Sequence, residues 1–437
     1  MFDRQLDTEV YMKALSAYSR EELLAFEAAA RKQYEEFLSQ NLSIDMSRGK
    51  PCTEQLCLSD EILNNVNKDT GFKSANGTEC RNYGVPAGID ECRQLFADIL
   101  EVKPENIFVG GNSSLNLMFD YVAQCMLKGP MGEKGWCYED EVIFLCPAPG
   151  YDRHFSICEY FGIKMVNVPM LSTGPDMDVV EELVKNPKVK GMFCVPKYSN
   201  PMGITFSDET VIRFAKLKPA AKDFRVIWDN AYCVHDLYDE GDKLLNILAE
   251  AEKYGNEDHF VVFTSTSKIT YPGAGVSALA SSVNNIKAIM SRVTMQTIGH
   301  DKINQLRHAR AFKDLNGIKE HMKLHAKILA PKFEAVLDIL SEELEGLEIA
   351  SWNKPRGGYF ISLDIDCGSA KYVGQLCKEA GLVLTPVGAT FPYGVDPEDK
   401  NIRIAPTFPP VDELKLCCRL LCCCVKLAAA KELLEKA

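Results

Sequence analysis

The sequence predicts an α/β fold built on a largely parallel sheet, on three observations. Seven short apolar runs are separated, for the most part, by amphipathic stretches with helical spacing. The runs are nearly continuous in apolar residues, the pattern of strands covered on both faces. At 437 residues the chain is too long for one ordinary domain and comfortable for two.

Residues 8–42 have helical spacing, and Ser19-Arg20-Glu21-Glu22 matches a capping box, with a Glu three residues after the Ser. The segment 45–51, with Gly49 and Pro51, breaks that helix. The apolar runs follow at 107–109, 141–145, 164–168, 191–195, 225–228, 260–263 and 276–280. From about 286 to 344 the spacing is helical throughout. Two more strand candidates lie at 358–364 and 401–404, and helices close the chain. The pattern describes a large domain with a mostly parallel seven-stranded sheet, and a smaller α+β domain. No internal repeat, low-complexity segment or Gly/Ser-rich linker interrupts it.

Apolar residues make up 46% of the chain and charged residues 25%, an ordinary soluble balance. The formal net charge of -12 argues against nucleic acid or an anionic membrane as partner. No window resembles a membrane span, and no basic start followed by an apolar stretch marks a signal peptide. A cytoplasmic protein is expected. The 17 cysteines lack the spacing of zinc sites and read as reduced thiols. Cys417, Cys418, Cys422, Cys423 and Cys424 fall in a helical pattern and read as small core residues, with no metal expected.

Chemistry is expected at strand ends, where α/β sheets bind ligands. Lys268, in Ser265-Thr266-Ser267-Lys268, follows the run at 260–263. A lysine held there among apolar neighbours loses hydration, which disfavours its ammonium form and makes it a nucleophile suited to Schiff-base chemistry. In isolation the pattern also describes a surface lysine. Gly110-Gly111-Asn112-Ser113-Ser114 lies between a strand and a helix. Its small residues let backbone N–H groups approach an anion, or simply form a turn. Asn200, in Tyr198-Ser199-Asn200-Pro201-Met202-Gly203, sits in a turn where its amide could bond a ring oxygen. Asp229, in Trp228-Asp229-Asn230-Ala231-Tyr232, ends an apolar run; a carboxylate buried there needs a cationic partner, such as a protonated pyridine nitrogen, unless it caps a helix. Arg403, between Ile402 and Ile404, must be paired if buried, with a substrate carboxylate or a protein acid.

With these motifs the chain resembles the fold-type I, pyridoxal-phosphate-dependent aminotransferases of the aspartate aminotransferase superfamily. The order of Gly49, Tyr83, Ser113-Ser114, Pro149 to Tyr151, Asn200-Pro201-Met202-Gly203, Asp229 to Tyr232, Ser265 to Lys268, Gly357-Gly358 and Arg403 matches over nearly the whole length. Within that superfamily it is most similar to the bacterial class Ic aspartate aminotransferases.

The resemblance implies that Lys268 carries pyridoxal 5'-phosphate as a Schiff base and shuttles the substrate proton. Asp229 would pair with the pyridinium nitrogen, and Tyr232 and Asn200 would bond the ring's phenolic oxygen. Tyr151 would stack on the ring, while Ser113, Ser114 and Ser265 would hold the phosphate. Tyr83 would reach the phosphate of a neighbouring subunit, giving a homodimer with shared sites. Arg403 would bind the substrate carboxylate, with Gly49 and Asn200 beside it. The implied domains are 1–60, an N-terminal arm with part of the small domain; 61–305, the cofactor-binding domain; and 306–437, the rest of the small domain.

Two departures stand out. Relatives carry a phosphate-binding arginine about eight residues after the lysine, where this chain has Val276 and no arginine anywhere in 269–276. Ser113-Ser114 stands where Gly-Thr or Ala is usual. The implied reaction is a ping-pong exchange of L-aspartate and 2-oxoglutarate for oxaloacetate and L-glutamate. Arg48, Arg81, Arg153 and Arg356 are candidates for a side-chain carboxylate. Another amino-acid specificity, or a β-lyase or decarboxylase on the same scaffold, would use the same lysine and aspartate. A non-catalytic regulator is disfavoured by the acidic charge and the lack of a recognition-helix pattern.

Overall fold

A computed structural model describes residues 13–436. Its strands, in chain order, are β1 (Ile44–Asp45), β2 (Ile107–Val109), β3 (Ile143–Ala148), β4 (Lys164–Leu171), β5 (Gly174–Pro175), β6 (Val189–Cys194), β7 (Arg225–Asp229), β8 (Phe260–Ser265), β9 (Ser277–Ser281), β10 (Ala350–Trp352), β11 (Ile361–Ile365), β12 (Leu382–Val383) and β13 (Asn401–Ile404).

The large sheet runs in the order β2-β9-β8-β7-β6-β3-β4-β5. Strands β4, β3, β6, β7 and β8 are mutually parallel, and β9 lies antiparallel between β8 and β2. All seven expected runs are strands of this sheet. The two-residue β5 folds back antiparallel on β4 and adds an eighth strand at the edge. Several ends differ from expectation. β3 runs on through Pro147 to Ala148, and β4 through Pro169 to Leu171. A proline lacks a ladder donor, so a reading from sequence stops too early there.

Alternate residues feed opposite faces of the sheet. Val109, Leu145, Met192, Val226 and Val262 enter one apolar core, and Phe108, Phe144, Phe193, Ile227 and Phe263 the other. Both faces are therefore dry, which explains the unbroken apolar runs.

A third core joins β11 and β13 to the helices Arg20–Ser39, Ala370–Glu379 and Val411–Lys436. Strands β10, β11 and β13 form a small antiparallel sheet, while β1 pairs in parallel with β12 and ties the N-terminal segment to this core. The helix Leu315–Leu344 belongs to both regions: Ile318 and Met322 pack under the large sheet, Leu329 to Leu344 in the third core.

The helical stretch expected from 286 to 344 is three helices, Val283–Gln296, Lys302–Phe312 and Leu315–Leu344. Asp301 and Asp314 mark the breaks as N-caps, accepting from Asn304 N at 3.0 Å and Gly317 N at 2.9 Å. Of the expected 8–42 helix, 8–12 lie outside the described residues. The helix proper is Arg20–Ser39, and the capping box is present, with Glu22 N donating to Ser19 Oγ at 3.2 Å.

The five clustered cysteines are buried in the third core as free thiols. Cys423 Sγ donates to Ala30 O at 3.2 Å, and burial pushes Cys417 and Cys423 up to about 12. Neutral thiols of this kind pack as small apolar groups. Among the described residues, no helix is long and apolar enough to cross a membrane.

Candidate active site

The carboxyl ends of β7 and β8 lie side by side, with Asp229 in register with Phe263. Asp229 is the last residue of β7, and Lys268 sits in the turn that follows Ser265 at the end of β8. The Lys268 side chain passes through an aromatic cage, its Nζ 5.0 Å from the ring centre of Tyr232 and 5.9 Å from that of Tyr359. Burial pushes the Lys268 amine below the ordinary lysine range, and the Asp229 carboxylate opposes that shift. Burial likewise holds the Tyr232 phenol well above its usual range.

Asp229 is 3% exposed. Its Oδ2 meets His154 Nε2 at 3.1 Å, whereas its buried Oδ1 has no hydrogen-bond partner among the described residues. Sequence reading missed His154. It lies in the first turn of the helix Asp152–Tyr160, stacked on Phe193 of β6 with ring centres 4.4 Å apart. The only signal in the sequence is a histidine three residues after Tyr151. Tyr151 is half-buried at the start of that helix, edge-on to His154 at 5.0 Å, and burial with the nearby Asp229 charge raises its phenol to about 12.

Beside β8, Gly110 to Ser114 lead into the helix Ser114–Lys128. Ser113 is the N-cap residue and makes no side-chain cap bond, so hydroxyls and leading N–H groups remain open to an anion. Ser267 Oγ donates to Asn112 O at 3.1 Å, and Ser265 Oγ donates to Ser267 Oγ at 3.0 Å. The lysine turn and the glycine-serine loop are thus one continuous surface. Val276 is buried where relatives were expected to place an arginine, and its N–H donates to Thr266 Oγ1 at 2.9 Å.

Arg403 enters from β13 and is 7% exposed. Its Nε donates to Thr385 Oγ1 at 3.2 Å, and its Nη1 donates to Asn200 Oδ1 and Asp152 Oδ1, each at 3.1 Å. The guanidinium lies 4.8 Å over the Phe360 ring. The bond from Arg403 fixes the Asn200 amide so that its Nδ2 donor is left for another acceptor. Gly49 lies against the tip of the Phe360 ring: a Cβ there would lie 2.5 Å from Phe360 Cζ. Gly357 is needed for a similar reason, since its Cβ would meet the Tyr198 ring at 2.2 Å.

The structure therefore gathers Lys268, Asp229, Tyr232, Tyr151, Asn200, Arg403 and Gly49 around one cleft, with Ser113, Ser114 and Ser265 along one wall. Tyr83 is elsewhere, 82% exposed on the surface. Of the candidate arginines, Arg81 is tied to Glu79 at 2.8 Å on the surface. Arg356 is bound to the Glu240 carbonyl on the loop after Tyr232, with Asp242 at 3.9 Å. Arg48 and Arg153 are exposed next to Gly49 and Tyr151 respectively.

A parallel sheet with a desolvated lysine and a buried aspartate at adjacent strand ends, flanked by a second domain-like layer carrying an arginine, defines a fold-type I transferase. The sequence model of the aspartate aminotransferase family matches residues 18–437, and the chain belongs to that family; it is an aminotransferase. It is 47% identical over 419 residues to an aspartate aminotransferase of Corynebacterium glutamicum, covering 96% of this chain and 97% of that protein. The crystal structure of an aspartate transaminase from Corynebacterium glutamicum superposes with a TM-score of 0.94 at 46% identity, covering 97% of this chain and all of that one. The fold also matches α-aminoadipate aminotransferase of Thermus thermophilus, solved with N-(5'-phosphopyridoxyl)-L-leucine. That match has a TM-score of 0.72 at 19% identity and covers 92% of this chain and 96% of that one.

Replacing His154 by Ala should lower the stability of the cofactor-free protein by about 3 kcal/mol, because it strands a buried carboxylate. Urea unfolding measures this. A wild-type midpoint would mean that Asp229 is held by something else.

Proposed function

We propose that this aminotransferase uses pyridoxal 5'-phosphate to exchange the amino group of L-aspartate with 2-oxoglutarate, giving oxaloacetate and L-glutamate. One observation carries the cofactor reading: the buried Asp229 Oδ1 lacks a partner in the same cleft as an amine whose ammonium form is disfavoured. An unpaired buried carboxylate oxygen is unfavourable unless a donor is supplied, and a protonated pyridine nitrogen is such a donor. The residues present fit the cofactor at both ends, with Lys268 and Asp229 toward the ring and Ser113, Ser114 and Ser265 toward the phosphate.

When bound, the cofactor supplies an aldehyde for the substrate amine and a ring that draws electrons from the substrate Cα. Asp229, oriented by His154, would hold the ring nitrogen in its protonated form. Tyr232 and the Nδ2 of Asn200 would donate to the phenolic oxygen, and Tyr151 would pack against the ring. Lys268 Nζ would hold the cofactor and, as a free amine, would be the base that takes the substrate α-proton. Its lowered pKa favours the neutral, basic form of that nitrogen. Arg403 binds the α-carboxylate and fixes which Cα bond faces the lysine. With no arginine at 276, the N-terminus of the helix Ser114–Lys128, serine hydroxyls and backbone donors would meet the phosphate charge.

The preference for aspartate rests on the likeness to the Corynebacterium glutamicum protein. Arg48 and Arg153, exposed and adjoining Gly49 and Tyr151 in the chain, are candidates to bind a side-chain carboxylate. We further propose a cytoplasmic homodimer with shared sites. Tyr83, Met295 and Ile298 are 82%, 85% and 60% exposed, an apolar surface suited to a second copy, with Tyr83 reaching the neighbour's phosphate. The division at about residues 60 and 305 is kept as the domain assignment, with Leu315–Leu344 as the shared helix.

Borohydride reduction of the cofactor-loaded enzyme, followed by peptide mapping, should place the label on Lys268, and Lys268→Ala should lower turnover roughly a thousandfold or more. A label on another lysine would remove Lys268 from this role. Truncating Arg403 to Ala should reduce kcat/KM by about 2–5 kcal/mol for every amino acid tested, since it removes the partner of a buried carboxylate. Unchanged kcat/KM across substrates would place the carboxylate elsewhere.

A further inference from the structure

Arg403 already holds a carboxylate before any substrate arrives. Asp152 Oδ1 lies 3.1 Å from Arg403 Nη1, and the same Nη1 donates to Asn200 Oδ1 at 3.1 Å. With Nε on Thr385, three of the five guanidinium hydrogens are engaged, and only Nη2 is without an acceptor among the described residues. A bidentate carboxylate takes two parallel N–H groups, and both hydrogens of Nη1 are committed. An α-carboxylate that grips the fork end-on must therefore displace an Nη1 partner.

The two partners differ in how easily they yield. Asn200 is neutral and 4% exposed, fixed in the wall of the cleft. Asp152 is charged, and its side chain is 31% exposed beside the buried Arg403. It can turn to water with little loss of hydration, and its charge repels any second carboxylate on the same guanidinium. Asp152 is also the first residue of the helix Asp152–Tyr160, so its backbone position is set by the helix that carries His154. The pair spans 251 residues of sequence and links that helix to β13.

We propose that Asp152 is a resident counter-ion of Arg403 that competes with the α-carboxylate of every substrate and so sets the enzyme's affinity for amino and 2-oxo acids. This rests on the reading of Arg403 as the carboxylate site. Asp152 sets affinity through Arg403 and does not touch the reacting atoms. Competition of this kind lowers affinity equally for donor and acceptor, because both present the same group. It also keeps the cation satisfied before a substrate binds, when an unpaired buried guanidinium would be unfavourable.

The test uses the cofactor-loaded enzyme and Asp152→Asn, which keeps shape and removes charge, with Asp152→Ser as a second variant. Steady-state kinetics with L-aspartate and 2-oxoglutarate should show both KM values falling about fivefold, with kcat within about twofold of wild type. Calorimetric binding of maleate, a dicarboxylate with no amino or oxo group, should tighten by a similar factor. A rise in KM for both substrates and weaker maleate binding would overturn the proposal and make Asp152 a support for Arg403. Unchanged KM and maleate affinity in both variants would overturn it too. Arg403→Ala separates the underlying reading: if that variant binds maleate as wild type does, the carboxylate site itself is misplaced.

Discussion

A carboxylate buried at the end of a dry strand is the constraint around which the rest of the site is arranged. Asp229 is placed there by β7, whose neighbours on both sides are parallel and whose faces are both covered by apolar cores. Water cannot solvate the charge, so the fold must. One oxygen is met by His154, which is itself clamped flat against Phe193 of the adjacent strand. The other oxygen is left for a ligand. This asymmetry makes the site a receptor: a fully satisfied aspartate would be structural, and a fully unsatisfied one would become protonated. The same dryness acts on Lys268 in the opposite sense of charge. The Lys268 amine is thus less stable as an ion than in water, and the Asp229 charge opposes that shift.

The site's chemistry was legible where residue type and strand end coincide. Lys268, Asp229 and Arg403 each follow or interrupt an apolar run, and a charge in that position demands an explanation from the sequence alone. Partners were not legible, because they depend on strand order. His154 follows β3, and Asp229 ends β7; they meet because β6 lies between those strands in space. Nothing in the spacing of the chain gives that order. Asp152 and Arg403 are a further case, since a pairing across 251 residues has no local signature. The fold was legible to the extent that both sheet faces are dry. Legibility ended at proline-containing strand ends and at two-residue strands such as β1, β5 and β12, which bury too little to leave a pattern.

The small domain's part is to bring a cation to the cleft without leaving it exposed. Arg403 lies on β13 between Ile402 and Ile404, which face the third core, so its own side chain points to the opposite face of the strand, where it is buried. Phe360 supplies a π face beneath the guanidinium, and Gly49 lies against the tip of that ring. A side chain at Gly49 would collide with Phe360 and displace it from its place under the arginine. The glycine thus protects the depth of the pocket, an effect transmitted through one ring.

An enzyme of net charge -12 that takes anionic substrates must win locally what it loses globally. Charges more than about 8–10 Å away are largely screened at physiological ionic strength, so most surface carboxylates act weakly on a substrate in the cleft. Within that radius the balance differs. Arg403 is buried in the site, and Arg48 and Arg153, both exposed, adjoin the site residues Gly49 and Tyr151 in the chain. Asp45 stands near Arg48, and the two carboxylates of the site itself are committed, Asp229 to His154 through one oxygen and Asp152 to Arg403. Attraction for an anion therefore depends on how firmly those two acids are held. Asp229 is fixed by burial. Asp152, with about a third of its side chain exposed, is the acid free to move, and it stands beside the cation that a substrate's carboxylate must reach.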